Sequence, residues 1–185
     1  MGEAVSSRKV QLVVLAAIAA MAVFFAVFAS HQVAYAEGTE FPSGSKITTD
    51  AEYTVTSTGD NKEVAYTKFN EDNKMLRVPP NVLYEGDQNL KYKVTSIASK
   101  AFAGSTKAKR AIIGKNVKSI GANAFAGTNM TKLKINTKLL TKASVKNSLK
   151  GSKVKVLKVP ADMVKAYKKI FTKANCGKKV TVKAQ

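Results

Sequence analysis

The sequence predicts an α/β solenoid: a short array of stacked coils sharing a small parallel sheet, with an N-terminal β-hairpin cap and a C-terminal helix-strand cap. Three observations predict it. A twelve-residue phrase, Val94-Thr-Ser-Ile-Ala-Ser-Lys-Ala-Phe-Ala-Gly-Ser105, returns 23 residues later as Val117-Lys-Ser-Ile-Gly-Ala-Asn-Ala-Phe-Ala-Gly-Thr128, with seven positions identical. Apolar pairs separated by one residue recur in step with it, as Leu76/Val78, Ala111/Ile113, Leu133/Ile135 and Leu157/Val159. A large side chain stands two places before a Gly at Phe102, Phe125 and Leu149, ahead of Gly104, Gly127 and Gly151. A fixed period of about 20 to 30 residues with apolar residues at fixed places is how stacked coils bury one another's interiors.

Residues 1–36 stand apart from this array. Arg8 and Lys9 precede an apolar run from Leu12 to Ala29, and Ala34-Tyr35-Ala36 offers small residues at a cleavage site before Glu37, the pattern of a secretory signal peptide. The alternative is an uncleaved anchor crossing the membrane through residues 10–29, because the run reaches the length that spans a bilayer. Both readings deliver the rest of the chain to the outside of the cell, as a secreted or surface protein.

Residues 37–48, rich in Gly, Ser and Thr, read as a flexible lead-in. Residues 49–75 read as the N-terminal cap: Tyr53-Thr-Val-Thr56 and Glu63-Val-Ala-Tyr66 alternate polar and apolar around Gly59-Asp60-Asn61, a hairpin signal. Residues 76–160 hold the repeats, about three to four coils. In each coil the paired aliphatics point inward, and the Gly accepts the positive φ that ends a short turn over the large side chain. The register slips twice. From Phe125 to Leu149 is 24 residues, so the third coil has an altered turn. Between Val78 and Ile113 there are 35, and the surplus falls where Val82 and Tyr92/Val94 can pair as a second hairpin projecting from the first coil.

Residues 161–185 read as the C-terminal cap. Met163, Val164, Tyr167, Ile170, Phe171 and Ala174 share one helical face between Pro160 and Gly177, leaving Lys165, Lys168, Lys169 and Lys173 in water, and Val180-Thr-Val182 follows as a strand. The lone Cys176 suits a small residue at a helix end, with intermolecular pairing as the alternative.

Charge is segregated. Glu37 to Leu90 carries ten acidic and five basic residues, whereas Lys91 to Gln185 carries 24 basic residues and one acid, Asp162. Such asymmetry points to an anionic partner. After residue 36 there is no His and one Cys, which removes Ser-His-Asp and Cys-His catalysis and the common zinc sites. Paired carboxylates remain for a hydrolase, from Asp60, Glu63, Glu71, Asp72, Glu85 and Asp87, but these sit in turn-like segments where acids are ordinarily solvated.

The Val-x-Ser-Ile-x-x-x-Ala-Phe-x-Gly phrase, followed by a strand with two inward aliphatics, resembles the BspA-like class of bacterial leucine-rich repeats over roughly Leu76 to Pro160. The lead-in Tyr92-Lys-Val-Thr-Ser-Ile97 resembles such proteins from Gram-positive gut bacteria. Where that family often has Cys after the Gly, this chain has Ser105, Thr128 and Ser152, whose hydroxyls can bond within the turn. The resemblance implies a short leucine-rich repeat array in an exported or surface-attached protein of adhesion or recognition type, without catalysis and without a cofactor.

Aligning the coils sorts the basic residues. Positions between the inward pairs form one outward column, Arg77, Ile112, Lys134 and Lys158; positions just before them form another, Met75, Arg110, Lys132 and Val156. Strands lie about 4.8 Å apart, so neighbouring like charges repel by about 1 kcal/mol per close pair in water. A sequence that accepts this repulsion is suited to an anion on that face. Arg77, Arg110, Lys132, Lys134 and Lys158 are therefore the expected ligand-binding residues, for an extracellular polyanion such as an acidic glycan or teichoic acid, or for a host or surface protein. Lys107, Lys115, Lys118, Lys138 and Lys153 fall on turns and read as a solvated rim. Nucleic acid fits poorly, since no aromatics interleave with the charges. The competing reading makes the lysines solubilising only, in an accessory repeat fragment with no ligand of its own.

Overall fold

The N-terminal alternation becomes three antiparallel strands, β1 (Lys46–Thr48), β2 (Ala51–Ser57) and β3 (Glu63–Phe69), in a computed structural model that describes residues 40–70, 72–84 and 87–185. The expected signal peptide or anchor lies outside the described residues. The expected hairpin forms as β2 and β3, but the lead-in from Glu40 onward is not loose. Phe41 and Ile47 are buried, the Phe41 N–H donates to the Tyr92 hydroxyl at 2.9 Å, and β1 extends the hairpin by a strand. Two apolar side chains spaced among polar ones were enough to strap the segment down.

After β4 (Met75–Val78), strands β5 (Asn81–Tyr84) and β6 (Asp87–Ile97) form the second hairpin, with Val82 opposite Tyr92. It does not project. Val82, Leu90, Tyr92 and Val94 are buried, and β6 is interior to a sheet ordered β1-β2-β3-β6-β5. Beyond Lys93, β6 turns from β5 to run parallel to β3 and then to β8 (Ser119–Ile120), so Ser96-Ile97 of the first phrase lies against Ser119-Ile120 of the second. The two copies of the repeat stack in register.

The second sheet is parallel throughout, in the order β11-β10-β9-β7-β4, from β7 (Arg110–Ile113), β9 (Lys132–Ile135), β10 (Val156–Val159) and β11 (Thr181–Ala184). All four sequence pairs, from Leu76/Val78 to Leu157/Val159, point inward and are at most 5 % exposed. β11 pairs in register with β10 and buries Val182 beside Leu157, while Ala184, opposite Val159, is exposed, so the closing strand is a fifth coil edge with half of the inward pair.

On the turn side an aromatic column runs through the core. Tyr53 meets Tyr66 edge-on at 5.5 Å, Tyr66 stacks on Phe102 at 5.2 Å, and Phe102 lies nearly parallel to Phe125 at 4.8 Å and 8°. Leu149 continues it into the third coil, fully buried. Gly104, Gly127 and Gly151 all have positive φ, as the turn demands. Lys100, Asn123 and Asn147, each two residues before the buried large side chain, are left-handed as well. The altered third turn is a 3-10 turn over Ala143–Val145. Ser148 stands there where the earlier copies have Ala101 and Ala124, and its buried Oγ finds no partner among the described residues. Ser148→Ala is expected to raise stability by about 1 kcal/mol, read as a higher urea midpoint, because it removes an unsatisfied hydroxyl without opening space.

Thr128 and Ser152 donate to the carbonyls of Phe125 and Leu149, closing their own turns at 2.9 and 2.7 Å. Ser105 instead donates to Asp72 at 2.7 Å. The same carboxylate accepts the N–H groups of Thr106, Lys107 and Ala108, ending the loop stack where no earlier coil exists. Burial acts to raise the Asp72 pKa, but the N–H of Lys107, the Ser105 hydroxyl and Thr106 outweigh it and hold it at about 2, below the ordinary 3.8. Its contribution is therefore present above pH about 4 and lost as pH falls toward about 2. Asp72→Ala should cost about 2 kcal/mol in urea unfolding at neutral pH, and the gap to the parent should close in acid.

The C-terminal segment departs from one continuous helix. α1 (Val164–Ile170) stops at Phe171, Thr172 is extended, and α2 (Lys173–Cys176) restarts with the Thr172 hydroxyl accepting the Asn175 N–H. The reason lies in the third coil, whose Asn147 and Leu149 N–H groups donate to the carbonyls of Asn175 and Cys176. A straight helix could not present those carbonyls, so the chain breaks and Ala174, expected on the apolar face, is exposed. Tyr167 anchors α1, fully buried, donating to the Thr137 carbonyl at 2.8 Å. Lys165, Lys168, Lys169 and Lys173 face water, as expected. Cys176 is buried with its thiol within hydrogen-bond reach of the carbonyls of Thr172 and Lys178, one of which takes its single proton, so its environment is a core position and offers no surface for an intermolecular bond. Burial pushes its pKa up, away from the reactive thiolate.

Candidate functional site

Parallel pairing fixes which side chains share the outer face of the second sheet. Arg77, Ile112, Lys134, Lys158 and Lys183 occupy one row across the five strands, and Met75, Arg110, Lys132, Val156 and Thr181 the next. The six basic residues of these rows are all exposed, while Ile112 and Val156 are half-buried between them. Neighbours within a row are about 4.8 Å apart by strand spacing, and the rows are about 6.6 Å apart along the strands.

Neither row contains an acid. Arg77, Arg110, Lys132, Lys134 and Lys183 make no ion pair or side-chain hydrogen bond among the described residues. Lys158 donates to the Ala184 carbonyl at 3.0 Å, which keeps its charge on the face but fixes its position. Elsewhere four lysines are ion-paired among the described residues: Lys62 with Glu40, Lys68 with Glu52, Lys118 with Glu63, and Lys138 with Asp162. Of the five expected rim lysines, Lys118 and Lys138 are thus ion-paired and Lys153 donates to Asn129, while Lys107 and Lys115 are exposed without such contacts.

A shallow furrow of about 270 Å³ crosses β4, β7, β9 and β10 on this face. Met75, Arg110 and Lys132 form one bank, Ile112, Lys134 and Lys158 the other, with Ala111 and Leu133 between and Gln185 at one end. Ala111 and Leu133 turn their side chains into the core, so the floor is strand backbone whose polar groups are engaged in the ladder. The furrow brings together four of the five expected residues. Arg77 lies in the same row on β4 but outside it. Sequence reasoning missed Lys183 and Gln185, because the last strand was read as a cap. The signal was the 25-residue step from Leu157 to Val182, one coil length.

Two of the candidate carboxylates, Glu63 and Asp72, both have their pKa lowered. Glu63 feels burial that would raise its pKa, yet the hydrogen bonds from Lys118 and Thr95 outweigh it and leave it lowered, and Asp72 is lowered by its cap role. A general acid needs the opposite shift. Asp60 is exposed in a turn, and Glu71, Glu85 and the side chain of Asp87 lie outside the described residues. Among the described residues no three His, Cys, Asp or Glu side chains converge on a possible metal position. No helix among them is long and apolar enough to cross a membrane.

The family comparison agrees with this architecture. A family model described as the BspA type leucine rich repeat region (6 copies) matches residues 87–185, a span that extends through the closing strand. A leucine rich cell surface protein from Faecalibacterium prausnitzii is similar at 19% identity and a TM-score of 0.42, over 66% of this chain and 28% of that one. A leucine-rich repeat protein from Bacteroides capillosus is similar at 18% identity and a TM-score of 0.48, over 75% of this chain and 99% of that one. The chain thus spans less than a third of the length of the Faecalibacterium protein. No curated protein matches it. With the repeat phrase stacked in register, its aliphatic pairs inside a parallel sheet and more than half of its length matched, the chain belongs to the BspA-type leucine-rich repeat family.

Proposed function

We propose that the protein is an extracellular, non-catalytic binding module that takes a polyanionic ligand, an acidic glycan or wall polymer of a cell surface, on the outer face of its parallel sheet. The observation that carries this reading is a row pair with six cations and no carboxylate, in a chain whose other basic residues are in part ion-paired. Two features support it. The family is one of repeat modules, and a structural neighbour is described as a cell surface protein. Binding then recovers the repulsion stored between adjacent cations, which is weak in water but acts at every pair along the rows.

The test is a matched pair of charge reversals. Lys132→Glu with Lys134→Glu changes two neighbouring furrow cations without a partner among the described residues, whereas Lys158 is tied to Ala184 and is the poorer choice. The double variant should lose about tenfold or more in affinity for an acidic glycan or a wall-polymer preparation at low salt. Lys107→Glu with Lys115→Glu makes the same change in net charge on the rim and should lose far less. Equal losses would mean that net charge alone drives binding. No binding by the parent would favour the accessory fragment without a ligand.

A further inference from the structure

We infer that the ligand is a linear phosphodiester polymer, of the poly(glycerol phosphate) type, lying in the furrow across the strands with its charges passing from the bank of Arg110 and Lys132 to that of Lys134 and Lys158. The inference rests on the polyanion reading and narrows its chemistry. Volume comes first. At about 270 Å³ and open along one side, the furrow falls below the roughly 300 to 1,000 Å³ in which compact small molecules are enclosed. A thin chain can lie in such a trough where a compact molecule cannot be buried.

The recognition groups come second. Binding hydroxyl-rich sugar rings calls for planar side chains that both donate and accept, and for apolar platforms on which a ring can lie. This face has no aromatic, Asp, Glu or Asn in either row. The amide of Gln185, the one planar side chain of that kind at the furrow, already donates to Ile135 and Asn136. The floor of strand backbone has its polar groups engaged in the ladder. What remains on offer for polar recognition is positive charge, from Arg110, Lys132, Lys134 and Lys158, beside the aliphatic side chains of Met75 and Ile112.

Spacing comes third. Successive cations lie about 4.8 Å apart within a row and about 6.6 Å across the furrow. A flexible chain with one negative charge per short linker can meet both distances by bond rotation. A stiff chain of rings, carrying its charges at fixed ring positions, meets one register or none. Arg110 adds a fork suited to two oxygens of one phosphate, and the three lysines act as point charges.

The experiment measures binding of the purified chain to synthetic poly(glycerol phosphate) of increasing length, with polygalacturonate of matched charge number and neutral dextran as comparators. Affinity for the phosphodiester should rise with length to about four phosphates, one for each furrow cation, and then level off. Its logarithm should fall against the logarithm of salt concentration with a slope of about −3, from roughly 0.7 per neutralised charge on a single strand. Lys132→Gln with Lys134→Gln, which removes charge without reversing it, should flatten that slope to about −1.5. Dextran should not bind. Polygalacturonate binding as tightly as the phosphodiester, with the same sensitivity to the variant, would overturn the phosphodiester assignment and leave the polyanion reading standing. Failure of both polyanions to bind would overturn the reading beneath it.

Discussion

Phe125→Ala is expected to remove about 3 to 5 kcal/mol of stability, the largest loss from any single truncation in the array. Phe125 is fully buried, its ring lies against Phe102 at 4.8 Å, and it stands between the cap's aromatic column and Leu149 of the next coil. Coils of this length cannot bury their apolar positions alone, so each large side chain closes the interior of two neighbours at once. A cavity there unseats the turn that Gly127 and Asn123 hold in left-handed conformations. Urea unfolding followed by far-UV circular dichroism checks it, with Leu139→Ala as the control, because Leu139 is 50% exposed and its truncation should fall within about 0.5 kcal/mol of the parent. A Phe125 variant within about 1 kcal/mol of the parent would mean that the column does not carry the stack.

Gly121→Ala should cost about 3 kcal/mol, for a steric reason that has nothing to do with positive φ. A Cβ on Gly121 would sit 2.4 Å from the Ser99 nitrogen and 2.7 Å from the Ala98 carbonyl carbon, backbone atoms of the preceding coil that no rotamer can move aside. The first copy of the phrase has Ala98 at the equivalent position, and there it is tolerated. Ala98 bonds to Tyr66 of the cap sheet, while Gly121 bonds directly to Ile97 of the coil before it. Thermal unfolding of Gly121→Ala against Ala98→Gly separates the two sites, the first expected to lower the midpoint by several degrees and the second to change it much less.

Those two positions show how far the sequence could be read. Periodicity alone placed the inward pairs, the turn glycines and the outward columns, because a parallel ladder between coils of nearly constant length leaves one register that keeps Leu76, Ala111, Leu133 and Leu157 all inside. It could not show that Gly121 packs on backbone where Ala98 does not, since the phrase is the same in both and the difference lies in the neighbour. The break after Ile170 was hidden for a similar reason. The apolar spacing from Met163 to Ala174 suits one helix, but the carbonyls of Asn175 and Cys176 are required by the turn of the third coil, a demand made from residues 147 and 149. The same oversight concealed Lys183, which belongs to the face once the last strand is counted as a coil edge. Asp72 carried no pattern at all. A carboxylate in a turn is ordinarily solvated, and only the missing earlier coil makes this one a cap for residues 105–108.

On the proposed function, the outer sheet face, and not the lysine-rich surface at large, receives the ligand. The most direct test is lysine acylation footprinting by mass spectrometry, with and without saturating poly(glycerol phosphate) at low salt. Strong protection of Lys132 and Lys134, weaker protection of Lys158 and Lys183, and unchanged labelling of Lys107 and Lys115 are expected. Protection spread evenly over face and rim, or falling first on Lys107 and Lys115, would contradict it.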